Sequence, residues 1–296
     1  MKLSVIIVTY NSEKDIYDCL RSLYKYNDLS QDDLEVIVVD NQSRNYEAMR
    51  ACLGKDYPAV RVVQNTHNGG YGQGNNVGIR MATAPIVAIM NPDVRLLQPT
   101  LAALVHCFEN PNVVMSGCKQ MLATGHQGWS FACTYAMREP LRVLMRNVCL
   151  PLNCFNYRFM YLSGAFFMLR KTAFEEIGMY DEKLFMYGEE PDIYLRFRKQ
   201  FDKMQIAYLP NITYLHDHSK RPYSQDRQRT VIRGDTYVYD KHGISTGSYF
   251  YTHIFLSYIF QLRAVLKHNH QEAKECALSR MVYREQMKER YTMNIK

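Results

Sequence analysis

The stretch SVIIVTYN, residues 4–11, decides the fold of this chain. Its first five positions are rich in β-branched residues and predict a buried strand, which the polar residues Thr9, Tyr10 and Asn11 follow directly. Three further short apolar runs lie at residues 35–39, 60–63 and 86–90. Because these runs alternate with segments of helical period, the sequence predicts βαβ units and a mostly parallel sheet.

The segment between the first two strands has the period of a helix. Ser12 is the expected N-cap with Asp15 three residues later, and apolar residues recur at helical spacing after it. Further along we expect a helix at residues 100–110, a strand at 161–169 and an amphipathic helix after Glu190. The chain after His216 is basic and aromatic, and we expect it to be helical to its end.

The composition limits the class of protein. With 296 residues, 47% of them hydrophobic, the chain can bury a large core, and its net charge of +7 suits an anionic partner such as a phosphate-bearing substrate, a nucleic acid or an acidic membrane.

The eight cysteines form no C-x-x-C pair and are interpreted as reduced thiols. The apolar start is too short for a secretory signal, so a cytoplasmic location is expected. The aromatic stretch at 249–262 is too short to span a membrane.

Polar residues follow three of the predicted strands at the point where each strand ends. They are Thr9, Tyr10 and Asn11, then Asp40 and Asn41, then Asn91, Pro92 and Asp93. In open α/β sheets ligands bind outside the carboxyl ends of the strands. The sequence therefore predicts one site at this edge of the sheet.

A glycine-rich segment at residues 68–78 precedes a predicted helix. Glycines there allow backbone N–H groups to approach a ligand closely. The segment matches neither the dinucleotide fingerprint nor the P-loop, because Asn75 stands where the P-loop requires lysine. A nicotinamide dehydrogenase and a P-loop ATPase are therefore disfavoured, and the alternative interpretation is a structural turn.

Asp93 is the candidate metal ligand. Pro92 stops the strand before it, and a carboxylate at that edge can bind Mg²⁺ or Mn²⁺ together with substrate phosphates. The alternative is a turn aspartate that caps its own backbone. A His216-x-His218 pair follows a later strand, and one histidine of it can complete such a metal site.

An acidic cluster at Glu189, Glu190 and Asp192 is the candidate for general base catalysis. Crowded carboxylates have raised pKa values, which suits the removal of a proton from a hydroxyl. The alternative is that these acids stabilise a helix N-terminus through its dipole.

Together these residues resemble the inverting family 2 glycosyltransferases, especially a bacterial branch with rhamnosyltransferases and other builders of surface polysaccharides. The resemblance covers residues 4 to about 216. It is carried by T-Y-N at 9–11, V-D-N at 39–41, N-x-G-x-x-x-G-N-N-x-G at 68–78, N-P-D at 91–93, S-G-A at 163–165 before Arg170, and an E-D-x-D-like motif at 189–192. In that last motif Glu190 replaces the usual aspartate.

The resemblance implies a role for each matching residue. Glu190 is the expected base, with Glu189 and Asp192 beside it, and Asp93 with His216 is expected to hold Mg²⁺ or Mn²⁺. Ser163 and Gly164 are expected at the acceptor. The residues expected to bind the nucleotide sugar are Thr9, Tyr10, Asn11, Asp40, Asn68, Gly70, Gly74, Asn75, Asn76 and Asn91.

The fold that the resemblance implies is an α/β, GT-A-type, Rossmann-like mixed sheet flanked by helices, with a helical C-terminal extension. We expect residues 1–97 to form a nucleotide-sugar half, 98–220 an acceptor half and 221–296 the extension. The expected reaction is metal-dependent inverting transfer of a sugar from a UDP- or dTDP-sugar to a glycan or lipid-linked acceptor. The expected pathway is bacterial surface polysaccharide biosynthesis of the O-antigen or capsule type.

The sequence argues against three other functions. A sugar nucleotidyltransferase would carry a basic glycine-rich loop near the first strand, which this chain lacks, and a noncatalytic glycan binder would not need the retained acids. Lys220, Arg221, Arg227, Arg229 and Arg233 form a basic stretch without a nucleic-acid motif, so no nucleic-acid partner is expected. The basic stretch and the aromatic residues behind it instead predict peripheral contact with an anionic membrane, or else helices that cover the main domain or form a dimer interface.

Overall fold

In the computed structural model, which describes residues 1–217 and 222–293, eight strands form one mixed sheet flanked by helices. In chain order the first elements are β1 (Leu3–Thr9), α1 (Glu13–Lys25), β2 (Leu34–Asp40), α2 (Tyr46–Asp56), β3 (Val60–Gln64), α3 (Gly70–Met81), β4 (Ile86–Met90), β5 (Val94–Leu96) and α4 (Leu101–His106). They are followed by β6 (Val113–Met121), β7 (Phe131–Cys133), α5 (Glu139–Cys149), β8 (Met160–Leu162), β9 (Phe166–Arg170), α6 (Lys171–Glu176), α7 (Glu189–Gln200), β10 (Gln205–His216), α8 (Gln225–Lys241), α9 (Gly247–Leu266) and α10 (His270–Met293).

The sheet has the order β3-β2-β1-β4-β9-β6-β10-β5. Strands β3, β2, β1 and β4 are parallel, whereas β9 runs antiparallel to both of its neighbours, β4 and β6. The four strands predicted in the first ninety residues are confirmed, each within one residue at either end. Their carboxyl ends therefore meet at one edge, as the sequence predicted.

Two apolar layers cover the two faces of the sheet, because successive residues of a strand point to opposite faces. Val5 and Ile7 of β1 pack with α1, α2 and α4. Ile6 of the same strand joins the layer that contains residues of α3, α7, α8, α9 and α10. The C-terminal helices thus belong to the same core layer as the sheet.

Two predicted elements differ from those observed. The strand expected at residues 161–169 is two strands, β8 and β9, because the chain leaves one sheet and enters another at Ser163-Gly164-Ala165. The helix expected at 100–110 ends as α4 at His106 and continues as a 3₁₀ turn at Cys107–Glu109. Ser12 precedes α1, but its hydroxyl donates to the Tyr10 carbonyl instead of capping the helix.

The described residues after His216 contain three long helices, α8, α9 and α10, and the expected helical character is confirmed for them. Within residues 1–217 and 222–293, no helix has the length and apolar content needed to cross a membrane. The predicted boundary at residues 220–221, together with Lys220, Arg221 and His218, lies outside the described residues. The division into two domains stays a prediction.

Candidate active site

A cavity of about 1100 Å³ opens at the carboxyl edge of the parallel strands. The polar segments after β1, β2 and β4 reach it, as the sequence predicted for the three strand ends. Their residues on its wall are Thr9, Tyr10, Ser12, Asn41, Asn91, Pro92 and Asp93.

Asp40 lies beneath this wall and ties two strand ends together. Its side chain is fully buried and accepts hydrogen bonds from the Thr9 hydroxyl at 3.2 Å and from the Ser43 N–H at 2.8 Å. The Ser43 hydroxyl in turn accepts from the Asn11 N–H at 2.8 Å. In the described part of the chain neither Asp40 nor Asn11 is among the residues on the cavity wall. Both fix the loops that line it.

The glycine-rich segment was expected to be a loop before a helix. Instead, α3 begins at Gly70 and contains most of the glycines. A Cβ at Gly78 would lie 2.4 Å from Ile6 Cγ2, and one at Gly74 would lie 2.8 Å from Val8 Cγ1. The glycines therefore let the helix pack directly on β1. This packing, and not exposure of N–H groups to a ligand, accounts for those two positions.

Asn75 and Asn76 lie inside α3, away from the described cavity wall. Asn75 donates to the Tyr71 carbonyl at 2.9 Å, and Asn76 exchanges two hydrogen bonds of 3.0 Å with the Tyr180 backbone. Their contacts favour a structural role. From this segment the residues that do reach the cavity are Asn68, Gly70 and Tyr71.

Asp93 and His216, 123 positions apart in the chain, are brought together by strand pairing. His216 ends β10, where it pairs with Val94 of β5, and its Nε2 lies 3.3 Å from Asp93 Oδ1. Both residues line the cavity. In residues 1–217 and 222–293 no group of three or more His, Cys, Asp or Glu side chains could hold a metal ion.

This donor set fits a divalent ion shared with a substrate. Mg²⁺ is usually held by one or two carboxylates together with substrate phosphates, and an imidazole nitrogen can serve as a further ligand to a divalent transition metal such as Mn²⁺. One aspartate and one histidine facing a cavity of this size leave room for phosphate oxygens. Asn91, the other polar residue of the N-P-D segment, lines the cavity and donates its N–H to the Ala165 carbonyl at 2.9 Å.

Arg95 holds the turn that carries Asp93. Its guanidinium donates to the carbonyls of Pro92 and Val94, both at 2.8 Å, and lies 3.6 Å from Asp15 and from Asp18 of α1. The turn is thereby tied to α1, which packs against β5. The sequence predicted no role for Arg95, although its position two residues after the N-P-D segment could have indicated one.

Glu190 lies in the first turn of α7 and faces the cavity. Burial raises the pKa of its carboxyl group, while the Gly164 N–H, which donates to it, opposes that rise. A Cβ at Gly164 would lie 2.0 Å from Glu190 Oε1, so glycine is needed there. The Tyr71 hydroxyl donates to the Gly164 carbonyl at 2.6 Å and so links α3 to the carboxylate.

Glu189 is buried beside Glu190. Burial, and after it the charge of Glu190, raises the pKa of Glu189 well above its ordinary value. Its Oε1 has no hydrogen-bond partner among the described residues. The negative charge of Glu190 therefore opposes the ionisation of Glu189.

Asp192 points away from the cavity into a cluster of cations. Its carboxylate lies 2.8 Å from Arg196 and from Lys241 and 2.9 Å from His242. Burial alone would raise its pKa, but these partners, His242 first, lower it. Its contacts favour the role of anchoring α7 to α8, whereas a catalytic role stays a prediction.

Ser163 and Gly164 line the cavity at the break between β8 and β9. The Ser163 N–H donates to the Ser130 carbonyl at 3.0 Å. Arg170, the basic position after the S-G-A segment, instead donates to the carbonyls of Val113 and Phe108 on the far side of the sheet. It does not reach the cavity in the described structure.

The sequence did not predict the second wall of the cavity, which α5, α8, α9 and α10 form. These helices contribute Glu139, Arg142, Arg146, Arg227, Asp235, His253 and Tyr283, and Trp129 adds to the wall from the loop before β7. Arg142 makes a two-pronged ion pair with buried Glu139, both hydrogen bonds being 2.7 Å, and His253 lies 3.0 Å from the same carboxylate. The signal that was available is the i, i+4 spacing of Arg138, Arg142 and Arg146.

The comparisons with known proteins identify the family of this chain. The sequence profile of glycosyl transferase family 2 matches residues 4–178. The chain belongs to glycosyl transferase family 2. It is therefore a glycosyltransferase of glycan biosynthesis, and the matched segment contains the three strand ends, the glycine-rich helix and the S-G-A break.

Among its relatives is the low-salt glycan biosynthesis hexosyltransferase Agl10 of Haloferax volcanii, 28% identical over 235 residues, which are 76% of this chain and 69% of Agl10. The poly(ribitol-phosphate) β-N-acetylglucosaminyltransferase TarS of Staphylococcus aureus is 35% identical over 102 residues, which are 34% of this chain but only 18% of TarS.

The solved structures share the fold. PcManGT, a mannosyltransferase from Pyrobaculum calidifontis solved with GDP-Man and Mn²⁺, has a TM-score of 0.60 at 16% identity and covers 95% of this chain and 85% of its own. A TarS fragment solved with UDP has a TM-score of 0.52 at 16% identity. These glycosyltransferases confirm the expected GT-A-type α/β fold with C-terminal helices.

Proposed function

We propose that this glycosyltransferase moves a sugar from a nucleotide diphosphate to an acceptor hydroxyl with inversion at the anomeric carbon. The observation that supports this reaction is the shared cavity. Asp93 and His216 face it from the strand ends, and Glu190 faces it from α7. A diphosphate site and a base on one cavity are what a single displacement requires.

In the proposed step Glu190 takes the proton of the acceptor hydroxyl. The acceptor oxygen then forms its bond to the anomeric carbon, and the bond from that carbon to the diphosphate breaks with its electron pair on the leaving nucleoside diphosphate. Raised basicity of Glu190 suits this task, because a base with a higher pKa takes a hydroxyl proton more readily. A divalent ion held by Asp93 and His216 would neutralise charge on the diphosphate.

The remaining predicted residues support this arrangement in different ways. Thr9, Tyr10, Asn68 and Gly70 line the nucleotide side of the cavity, and Ser163 and Gly164 lie beside the base. Asp40, Asn11, Asn75 and Asn76 hold the loops and the helix that form its wall. The donor that we propose is a UDP- or dTDP-sugar, which the TarS fragment solved with UDP supports, and the ion is Mn²⁺ or Mg²⁺, which PcManGT solved with Mn²⁺ supports.

The acceptor that we propose is a glycan or a lipid-linked glycan, built into a surface polysaccharide of the O-antigen or capsule type. Agl10 and TarS both carry names that place them in glycan or polymer glycosylation, which supports this class of acceptor. A lipid-linked acceptor would place the enzyme at the inner face of the membrane.

Thermal unfolding with UDP-, dTDP- and GDP-sugars, each with and without Mn²⁺, tests the donor site. A ligand that binds only the folded state raises the melting temperature. We expect one nucleotide class to do so only with Mn²⁺, and the Mn²⁺-dependent part to vanish in Asp93→Ala. No shift with any nucleotide sugar would contradict the proposal.

Product analysis separates the two other functions that the sequence left open. Transfer releases a nucleoside diphosphate, a nucleotidyltransferase releases or consumes pyrophosphate, and a noncatalytic binder releases neither. Slow hydrolysis of the donor by water, followed as nucleoside diphosphate release, is measurable without knowing the acceptor. Pyrophosphate as the product would contradict the proposed function.

A further inference from the structure

Helix α9 is apolar over most of its surface, yet one of its sides is exposed. Tyr251, Phe255, Tyr258, Leu262 and Leu266 recur at helical spacing, and each keeps between 45 and 73% of its surface exposed. The opposite side of the helix carries buried residues such as Tyr249 and Ala264. A helix that is hydrophobic all round is normally buried on all sides or placed in a membrane.

Helix α5 packs against α9 and has the same two-sided character. Leu141, Leu144 and Val148 are 47 to 59% exposed. On other sides of the same two helices, Arg142 of α5 and His253 of α9 line the cavity. Each helix therefore has one side at the candidate active site and another covered by nothing in the described structure.

The charges on these two helices have one sign. Residues 247–270 contain no acidic residue, and the only acid of α5, Glu139, is buried. Arg263 and Lys267 lie at the end of α9. From α10, Arg280 lies 4.0 Å above the Tyr258 ring, and Arg284 donates to the Tyr258 hydroxyl at 2.6 Å.

We propose that the exposed apolar sides of α5 and α9, here called the docking face, rest on the surface of an anionic lipid bilayer. Aromatic and aliphatic side chains beside cations are the combination that binds the interface of such a membrane. A second copy of the chain is a poorer partner, because a symmetric dimer would bring cation against cation. Docking would hold the cavity wall near a lipid-linked acceptor.

Vesicle co-sedimentation without any sugar nucleotide tests this docking independently of the proposed function. Vesicles of phosphatidylcholine alone are compared with vesicles that contain phosphatidylglycerol, at low and at high salt. We expect binding to the anionic vesicles about tenfold or more above that to the neutral ones, and a loss of this difference in high salt. No binding to anionic vesicles would overturn the proposal.

Two matched pairs of variants locate the binding. Phe255→Gln with Leu262→Gln should lower binding about tenfold or more, whereas Leu97→Gln, at an exposed apolar residue after β5, should not change it. Arg263→Glu with Lys267→Glu should lower binding, whereas Lys14→Glu with Lys25→Glu in α1 changes the net charge equally and should lower it less. Unchanged binding in the first double variant would overturn the proposal.

The oligomeric state shows whether a second copy of the chain, and not a membrane, covers the docking face. Light scattering in the absence of lipid should give the same mass for the wild type and for Phe255→Gln with Leu262→Gln. A wild-type dimer that becomes a monomer in this variant would show that a second copy covers the face, which would overturn the membrane proposal. Unchanged melting temperatures of the variants would show that they fold.

Discussion

The two walls of the cavity are built on different principles. On the strand-end wall, short loops after β1, β2 and β4 present polar groups that parallel strand geometry alone gathers at one edge. On the helical wall, charged groups from α5 and α9, more than a hundred residues apart, meet in a buried cluster around Glu139. The first wall can be read from local patterns, whereas the second exists only through tertiary packing.

The largest expected effect is that of replacing the proposed general base, Glu190, where the two walls meet. Glu190→Gln keeps the shape of the side chain and removes its ability to take a proton, so we expect kcat to fall by about 10³-fold. Donor binding, measured as the Mn²⁺-dependent rise in melting temperature, should stay unchanged. Transfer at a rate near the wild type would remove Glu190 from the proposed mechanism.

Glu189→Gln is the matched control for this variant. Burial and the charge of Glu190 raise the pKa of Glu189 well above its ordinary value, so a neutral amide should replace this carboxyl at a smaller cost than it would an ordinary carboxylate. We expect most of the activity to remain. Because the pKa of Glu190 is raised as well, the wild-type rate should rise as pH increases through that raised value. The same loss in both variants would show that the pair acts as a unit.

The next largest effect concerns the helical wall. Although burial opposes it, the contacts with His253 and Arg142 lower the pKa of Glu139 to about 2. Glu139→Gln leaves the Arg142 charge in a buried place, so we expect a loss of roughly 3 kcal/mol in the free energy of unfolding at pH 7. Chemical denaturation measures this loss. Glu109→Gln, at an exposed pair with His106, should change it by less than about 0.5 kcal/mol.

The pH dependence of stability checks the same contact. A lowered carboxyl pKa stabilises the fold above the ordinary value near 4.5, and that stabilisation is lost as pH falls toward about 2. The difference between the wild type and Glu139→Gln should therefore shrink across this range. A difference that is equal at pH 7 and at the lowest pH where the chain stays folded would contradict the charge argument.

Substitution of a glycine in α3 should have a smaller effect, on the packing of the strand-end wall. Gly78→Ala places a Cβ 2.4 Å from Ile6 Cγ2, so we expect a loss of about 1–3 kcal/mol in unfolding free energy. Gly54→Ala is the control, because Gly54 also lies in a helix but has no atom within 4 Å of an added Cβ. That control should gain about 0.5–1 kcal/mol. Equal effects of the two substitutions would contradict the close packing of α3 on β1.

Much of the strand-end wall was predictable from sequence, because it depends on local patterns. β-Branched runs placed β1 to β4 within one residue, and the polar residues after them reached the expected edge. The glycine segment was located correctly, but the packing of Gly74 and Gly78 against β1 was not predicted, because periodicity cannot tell a glycine that faces a ligand from one that faces a strand. The break at Ser163 was missed, since the apolar run continues through it.

The helical wall could not be predicted to the same extent. Arg142 and His253 carry no motif, and their common partner Glu139 resembles an ordinary acid at a helix start. Asp192 pairs with Lys241 and His242, which lie some fifty residues away at the end of α8. The acidic motif alone therefore could not reveal which acid faces the cavity. Contacts between elements this far apart are set by the packing of the helices on the sheet.

The smallest expected effect tests whether the strand-end wall depends on support from outside its loops. Arg95→Met removes the hydrogen bonds to the Pro92 and Val94 carbonyls and the link to α1, but leaves Asp93 and His216 in place. We expect the Mn²⁺ concentration that half-saturates the nucleotide-dependent thermal shift to rise about threefold to tenfold, or ~1 kcal/mol.

Arg21→Met is the control for Arg95→Met, because Arg21 is an exposed arginine of α1 that also pairs with Asp18 but does not touch the turn. It should leave the Mn²⁺ dependence unchanged. If Arg95→Met raised KM for the nucleotide sugar without any change in the Mn²⁺ dependence, the turn would act on the donor directly. If neither quantity changed, the strand-end wall would keep its geometry without support from α1. It would then differ even more from the helical wall, whose geometry depends on tertiary packing.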